Sequence, residues 1–230
     1  PATEHLATDI GAHAIYTDPS NRFAYVPHIA RLFDNVLEPA KDELGPNVIY
    51  QFRFDENTGR LTPNSPLKVE QDGNLGPRYY CFHPTLGIVY FSDEQGCSVT
   101  GYHIDPSAGT LSAFQTISTL PEGVTQRNTC SQIQISPSGE FLYVPNRGHN
   151  SIACFSVDAS TGRLSAIGHE PTEAVPSAFS LDPEGKFVFA AGSASGLLAA
   201  YRISSDTGGL TPLGTYSVGE RPMGVLVTTL

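Results

Sequence analysis

A short pattern recurs four times along the chain, and it constrains the fold more than any other feature. Each copy carries a Pro-containing turn: Asp18-Pro19-Ser20-Asn21, His83-Pro84-Thr85-Leu86, Ser136-Pro137-Ser138-Gly139 and Asp182-Pro183-Glu184-Gly185. An aromatic residue follows at a constant offset, as Tyr25, Tyr90, Tyr143 and Phe189. A second, Gly-containing turn then precedes Leu61, Leu111, Leu164 and Leu210. Runs rich in Val, Ile, Phe and Tyr, separated by Gly, Pro, Asn and Asp, read as strands. Four short strands in a unit of about 50 residues is the signature of a propeller blade.

The repeat predicts an all-β chain built as a β-propeller of four-stranded antiparallel blades. The first blade is expected at Ala12–Asp18, Arg22–Pro27, Val48–Phe54 and Leu67–Gln71, with three further blades in the same phase. Glu4–Ile10 and Met223–Thr229 remain as terminal strands of one or two further blades. Residues 1–230 therefore read as a single propeller domain. It is expected to be the C-terminal part of a larger ring, the alternative being a five-bladed ring closed by both termini.

Composition narrows the partners. The net charge of −10 argues against a nucleic-acid surface, which needs clustered Lys and Arg. No apolar run approaches the ~18 residues needed to cross a bilayer, and no leader is visible. The four cysteines form no Cys-x-x-Cys pair, which disfavours a zinc site and fits the reducing cytoplasm. A small anionic substrate remains possible where a few Arg converge. Oligomeric state is not legible.

One connection is long. Residues Ala30–Asn47 separate the second and third strands of the first blade, as a functional lid or a simply mobile connection would. Its acids Asp34, Glu38, Asp42 and Glu43 lack calcium-loop spacing and read as solvated charge.

The repeat phase also locates a candidate site. Six residues before each repeat Pro stand His13, Arg78, Ser131 and Ser177, and four beyond each aromatic stand Ile29, Glu94, Arg147 and Ser193. Both sets fall at the same end of an antiparallel blade. His13, Arg78, Glu94 and Arg147 are therefore expected to meet at one mouth of the central channel. Two guanidiniums there suit a carboxylate or phosphate, and an imidazole suits general base work. His28, near the mouth, is a second candidate base. Arg127 and His149 occupy loops on that face, and Gln132 alternates along an inner strand; with His28 they are candidate substrate-binding residues. No Gly-x-Ser-x-Gly elbow, P-loop or His-Glu-x-x-His occurs.

At Ala12-His13-Ala14-Ile15-Tyr16-Thr17-Asp18-Pro19, Gly76-Pro77-Arg78, Asp93-Glu94 and Tyr143-Val144-Pro145-Asn146-Arg147-Gly148-His149-Asn150-Ser151-Ile152 the chain resembles the lactonase-type seven-bladed propellers. That family includes propeller 6-phosphogluconolactonases and fungal carboxy-cis,cis-muconate cyclases. The resemblance implies an active-site His, Arg, Glu and Arg at His13, Arg78, Glu94 and Arg147. It implies lactone hydrolysis needing neither metal nor organic cofactor, with the arginines holding the anionic end of the substrate. Carboxymuconate cycloisomerisation is the alternative chemistry. A non-enzymatic scaffold is the third reading, and it predicts a mouth sealed by mutual pairing of these side chains. The Pro-Arg pair is followed by Tyr79 where the family often has His, and His13 lacks a second upstream His.

Overall fold

The computed structural model describes residues 4–33 and 36–228. Among these residues sixteen strands form four separate antiparallel sheets. The first blade holds β1 (Tyr16–Thr17), β2 (Phe23–His28), β3 (Val48–Asp55) and β4 (Arg60–Glu70) in that order. The second holds β5 (Pro77–Phe82), β6 (Ile88–Asp93), β7 (Ser98–Ile104) and β8 (Leu111–Ser118). The third holds β9 (Gln134–Ile135), β10 (Phe141–Asn146), β11 (Ser151–Val157) and β12 (Leu164–Pro171). The fourth holds β13 (Pro176–Leu181), β14 (Phe187–Gly192), β15 (Leu197–Ile203) and β16 (Leu210–Ser217).

Two inner strands are shorter than the repeat predicts, and proline explains it. Pro27 in β2 and Pro145 in β10 accept bonds from His13 N (3.2 Å) and Ser131 N (3.1 Å) but have no N–H to return. The ladder breaks there, so β1 and β9 keep two residues each. The second and fourth blades carry Ser92 and Ala191 at the equivalent position, and β5 and β13 run six residues.

The outer strand of the first blade differs the other way. It starts at Arg60, in phase with its counterparts, rather than at the expected Leu67. Pro63 and Pro66 read as a loop in sequence, but an outermost strand tolerates residues that cannot donate. The terminal stretches correct a second expectation. Among the described residues neither Glu4–Ile10 nor the segment from Met223 forms a strand, and Thr229 lies outside the described residues. Residues 4–10 instead hook onto the first blade by side chains: Leu61 N donates to Glu4 Oε2 at 3.0 Å, and Tyr50 Oη and Lys68 Nζ donate to Asp9 at 2.8 and 2.7 Å.

Strand alternation builds the core between blades. Phe23, Tyr25 and Ile49 pack with Tyr80, Phe91 and Tyr102 across the first boundary. Ile88, Tyr90 and Val99 meet Leu142, Val144 and Phe155 at the second. Tyr143 and Ile152 meet Phe179, Val188 and Tyr201 at the third. The opposite faces of β2 and β3 place Val26, Tyr50 and Phe52 on the outer flank of the first blade.

Each boundary also carries the same fastener. The hydroxyls of Tyr25, Tyr90 and Tyr143 donate to the carbonyls of Gly109, Gly162 and Gly208 in the next blade, at 2.9, 2.6 and 2.8 Å. The fourth copy has Phe189, without a hydroxyl. The buried Tyr90→Phe substitution is expected to lower stability by about 1 kcal/mol, the net worth of one buried hydrogen bond. A urea midpoint unchanged from the parent protein would contradict it.

Candidate active site

One backbone bond recurs in every blade and sets the site. Ile29 N, Glu94 N, Arg147 N and Ser193 N donate to Gly11 O, Gly76 O, Thr129 O and Val175 O at 2.7–3.2 Å. It ties the end of the second strand to the lead of the inner strand, two residues before His13, Arg78, Ser131 and Ser177. The side chains at these eight places therefore share one end of the sheets. In the fourth blade they are Ser177 and Ser193, whose hydroxyls lie 3.1 Å apart. The chemically potent ones come from the first three blades.

Glu94 is the centre. It is 3% exposed, and its two oxygens face two cations. Arg147 Nη2 donates to Oε1, and also to the Cys130 carbonyl at 2.9 Å. Arg78 Nε lies 3.0 Å from Oε2, an ion pair too bent for a hydrogen bond. Among the described residues, Glu94 Oε2, Arg78 Nη1 and Arg147 Nε are buried without a hydrogen-bond partner. Buried polar atoms left unpaired are costly, and they cluster where a ligand completes them. Burial works against the Arg78 charge and the Glu94 carboxylate supports it.

His13 completes the group. Its Nδ1 lies 3.0 Å from the Gly11 carbonyl, an acceptor only, so the neutral ring donates from Nδ1 and keeps its lone pair on Nε2. Nε2 stands 3.9 Å from Glu94 Oε2. Burial holds the imidazole below its ordinary range, and the Arg78 charge pushes the same way. His13 is thus a neutral base with its lone pair beside a carboxylate.

These four side chains line a cavity of about 480 Å³, within the usual range for a small-molecule site. The mouth is open, unlike the sealed mouth a scaffold predicts. The long connection between β2 and β3 also lines it, through Leu32, Phe33, Glu38 and Lys41. Leu32 N bonds to Glu43 O and Gly45 N to Ala30 O, each at 2.8 Å, so the connection folds back on itself. Among its acids, Asp42 pairs with Arg31 at 3.0 Å and Glu38 with Lys41 at 3.5 Å. Asp34 lies outside the described residues. A larger concavity, about 550 Å³, runs along the flank of the first blade and shares His13, but its walls are mostly apolar and hold no arginine.

The other candidates sit elsewhere. His28 does not reach the mouth: it is wholly buried, its ring 4.7 Å from that of Tyr50 and its Nδ1 3.1 Å from Val26 O. As a β2 residue it points into the flank of its own blade. Gln132 does not line the cavity; its amide oxygen accepts from Phe179 N at 2.6 Å, linking the third blade to the fourth. His149 lies 2.8 Å from Ser151 Oγ, is anchored through its N–H to Asn128 Oδ1, and is likewise away from the cavity wall. Arg127 reaches across to the long connection and donates to the Glu38 carbonyl. Lys41 was not singled out in the sequence. Only the acids of its loop stood out there, although a loop basic residue in an acidic chain was the available signal.

Comparison with known proteins places these features. Residues 7–227 match the family described as "Lactonase, 7-bladed beta-propeller". The 6-phosphogluconolactonase of Pectobacterium carotovorum subsp. carotovorum is 32% identical over 224 residues, covering 96% of this chain and 61% of that protein. That of Erwinia tasmaniensis is 32% identical over 220 residues, with the same coverage of 96% and 61%. The chain thus spans 61% of the length of these curated relatives. Among solved structures, a protein from Lactobacillus plantarum superposes with a TM-score of 0.79 at 25% identity, covering 93% of this chain and 57% of that one. A periplasmic gluconolactonase of Pseudomonas aeruginosa shares the fold with a TM-score of 0.78 at 23% identity, covering 91% and 55%.

Proposed function

The chain belongs to the seven-bladed β-propeller lactonase family, of which it supplies four blades, and from that premise we propose that its central cavity hydrolyses a sugar-acid lactone bearing an anionic group. The observation that carries the reading is the buried Glu94 carboxylate spanning two guanidiniums beside a neutral imidazole, all facing one open cavity. The name 6-phosphogluconolactonase on the curated relatives supports a phosphorylated lactone over a carboxymuconate.

The chemistry follows from the polarity of each group. A water held between His13 Nε2 and Glu94 Oε2 loses a proton to the imidazole as its oxygen attacks the lactone carbonyl. Negative charge grows on the carbonyl oxygen, and the unpartnered Arg78 Nη1 and Arg147 Nε take it up. Collapse breaks the bond between the acyl carbon and the ring oxygen. The imidazolium returns its proton to that oxygen, and the product is a hydroxy acid. Glu94 stabilises the transient imidazolium 3.9 Å away and keeps both guanidiniums aimed. Cys81, Cys130 and Cys154 are thiols outside any disulfide, which supports a reducing compartment such as the cytoplasm.

The test is turnover of 6-phosphogluconolactone by the 230-residue protein above the spontaneous rate, with carboxymuconate offered in parallel. Failure on the lactone would overturn the reading. The acid limb of kcat/KM should lie below the ordinary imidazole range, because the folded site disfavours the protonated ring. Arg78→Met removes a charge that depresses His13, so its acid limb should move to higher pH. A limb that stays in place would remove His13 from the base role.

A further inference from the structure

The arginine pair is already committed. Both guanidiniums are drawn onto one carboxylate, and Arg147 also holds the Cys130 carbonyl. A substrate phosphate placed at that depth would face Glu94 at close range and be repelled by it. Among the described residues that line the cavity there is one more cation, Lys41. It reaches the cavity from the long connection, with its side chain 46% exposed. Its carboxylate partner is Glu38, at 3.5 Å and over half exposed, a pair of the kind worth little in water and easily exchanged.

The loop that presents Lys41 is tied to the body at two points and to itself at a third. Arg127 donates to the Glu38 carbonyl and Ala30 N donates to Gln95 Oε1 at 3.1 Å, while Arg31 holds Asp42 within the loop at 3.0 Å. Lys41 is therefore a cation on an anchored loop that lines the same cavity as the reacting groups, not a side chain on a free strand of chain.

We propose that Lys41 binds the phosphate of a phosphorylated lactone from the loop side of the cavity, exchanging Glu38 for the ligand, and leaves Arg78 and Arg147 to the lactone carbonyl. Arg127 acts as a positioning residue through the Glu38 carbonyl. The inference rests on the lactonase reading and adds a division of labour: the depth of the cavity does the chemistry and the loop selects the charge.

Two substrates separate these roles. Lys41→Ala should raise KM for 6-phosphogluconolactone about 10- to 100-fold, the worth of one charge-assisted contact, with kcat nearly unchanged. Hydrolysis of uncharged glucono-1,5-lactone should be the same in variant and parent, and Lys41→Arg should recover most of the KM. Equal loss on both lactones, or loss on neither, overturns the assignment. Should the parent protein hydrolyse neither lactone, the lactonase reading fails by itself. The lysine is then read by calorimetry with 6-phosphogluconate: binding weakened by a comparable factor in Lys41→Ala supports it, and equal affinity overturns it.

Discussion

Glu94→Gln is expected to lose about 10²- to 10⁴-fold in lactone turnover and about 3 kcal/mol or more in stability. The side chain keeps its shape and loses its charge. Arg78 and Arg147, with side chains only 16% and 12% exposed, are then left facing each other without an anion. Removing one partner of a buried ion pair is costly because the other charge stays buried and uncompensated. The two effects separate in a second variant. Glu94→Gln combined with Arg147→Met removes one of the stranded cations, so stability should partly return while turnover stays low. Unfolding in urea and steady-state assays on the same preparations read both. Because Arg147 itself faces the carbonyl oxygen, turnover is judged on the single variant: a Glu94→Gln protein that loses stability and keeps turnover would make Glu94 a structural tie and not part of the chemistry.

The second large effect is expected away from the site, at the turn glycines that receive each neighbouring blade. A methyl at Gly109 would stand 2.1–2.5 Å from the ring of Phe23, which is itself 2% exposed and cannot withdraw. Gly162 meets Ile88 at 2.3 Å and Gly208 meets Phe141 at 2.2 Å in the same arrangement. Gly109→Ala thus combines overpacking with a left-handed backbone at φ +70°, and should cost about 3 kcal/mol or more. Gly123 has a similar left-handed φ of +80°, but nothing lies within 4 Å of its added methyl. Gly123→Ala should cost only the backbone strain, about 1–2 kcal/mol. Urea midpoints of the two variants make the comparison. Equal shifts would show that the backbone, and not the seat of the neighbouring blade, sets the cost.

Much of this architecture was legible because the repeat is a ruler. Residues in equal phase fall in equal places, so Tyr25, Tyr90 and Tyr143 become equivalent fasteners, and His13, Arg78, Glu94 and Arg147 share one end of the sheets. What the ruler lacks is the third dimension. Alternation assigns a residue to a face but does not say what covers that face, so His28 and Gln132 looked like cavity residues while one is packed under Tyr50 and the other bonds to the next blade. Nor does phase reach into a connection that has no counterpart in the other blades, which is why Lys41 and the Arg127 contact went unread. The two-residue inner strands were legible in principle. Pro27 and Pro145 are visible in the sequence, but their effect depends on which neighbour their missing N–H would have faced.

The tyrosine fasteners string the candidate site together. Tyr25 joins the first blade to the second, Tyr90 the second to the third and Tyr143 the third to the fourth. His13 and Lys41 belong to the first blade, Arg78 and Glu94 to the second and Arg147 to the third. The candidate groups are thereby spaced by bonds between blades and not within any one sheet, so a variant that loosens the Tyr90 fastener is expected to shift Glu94 relative to Arg147.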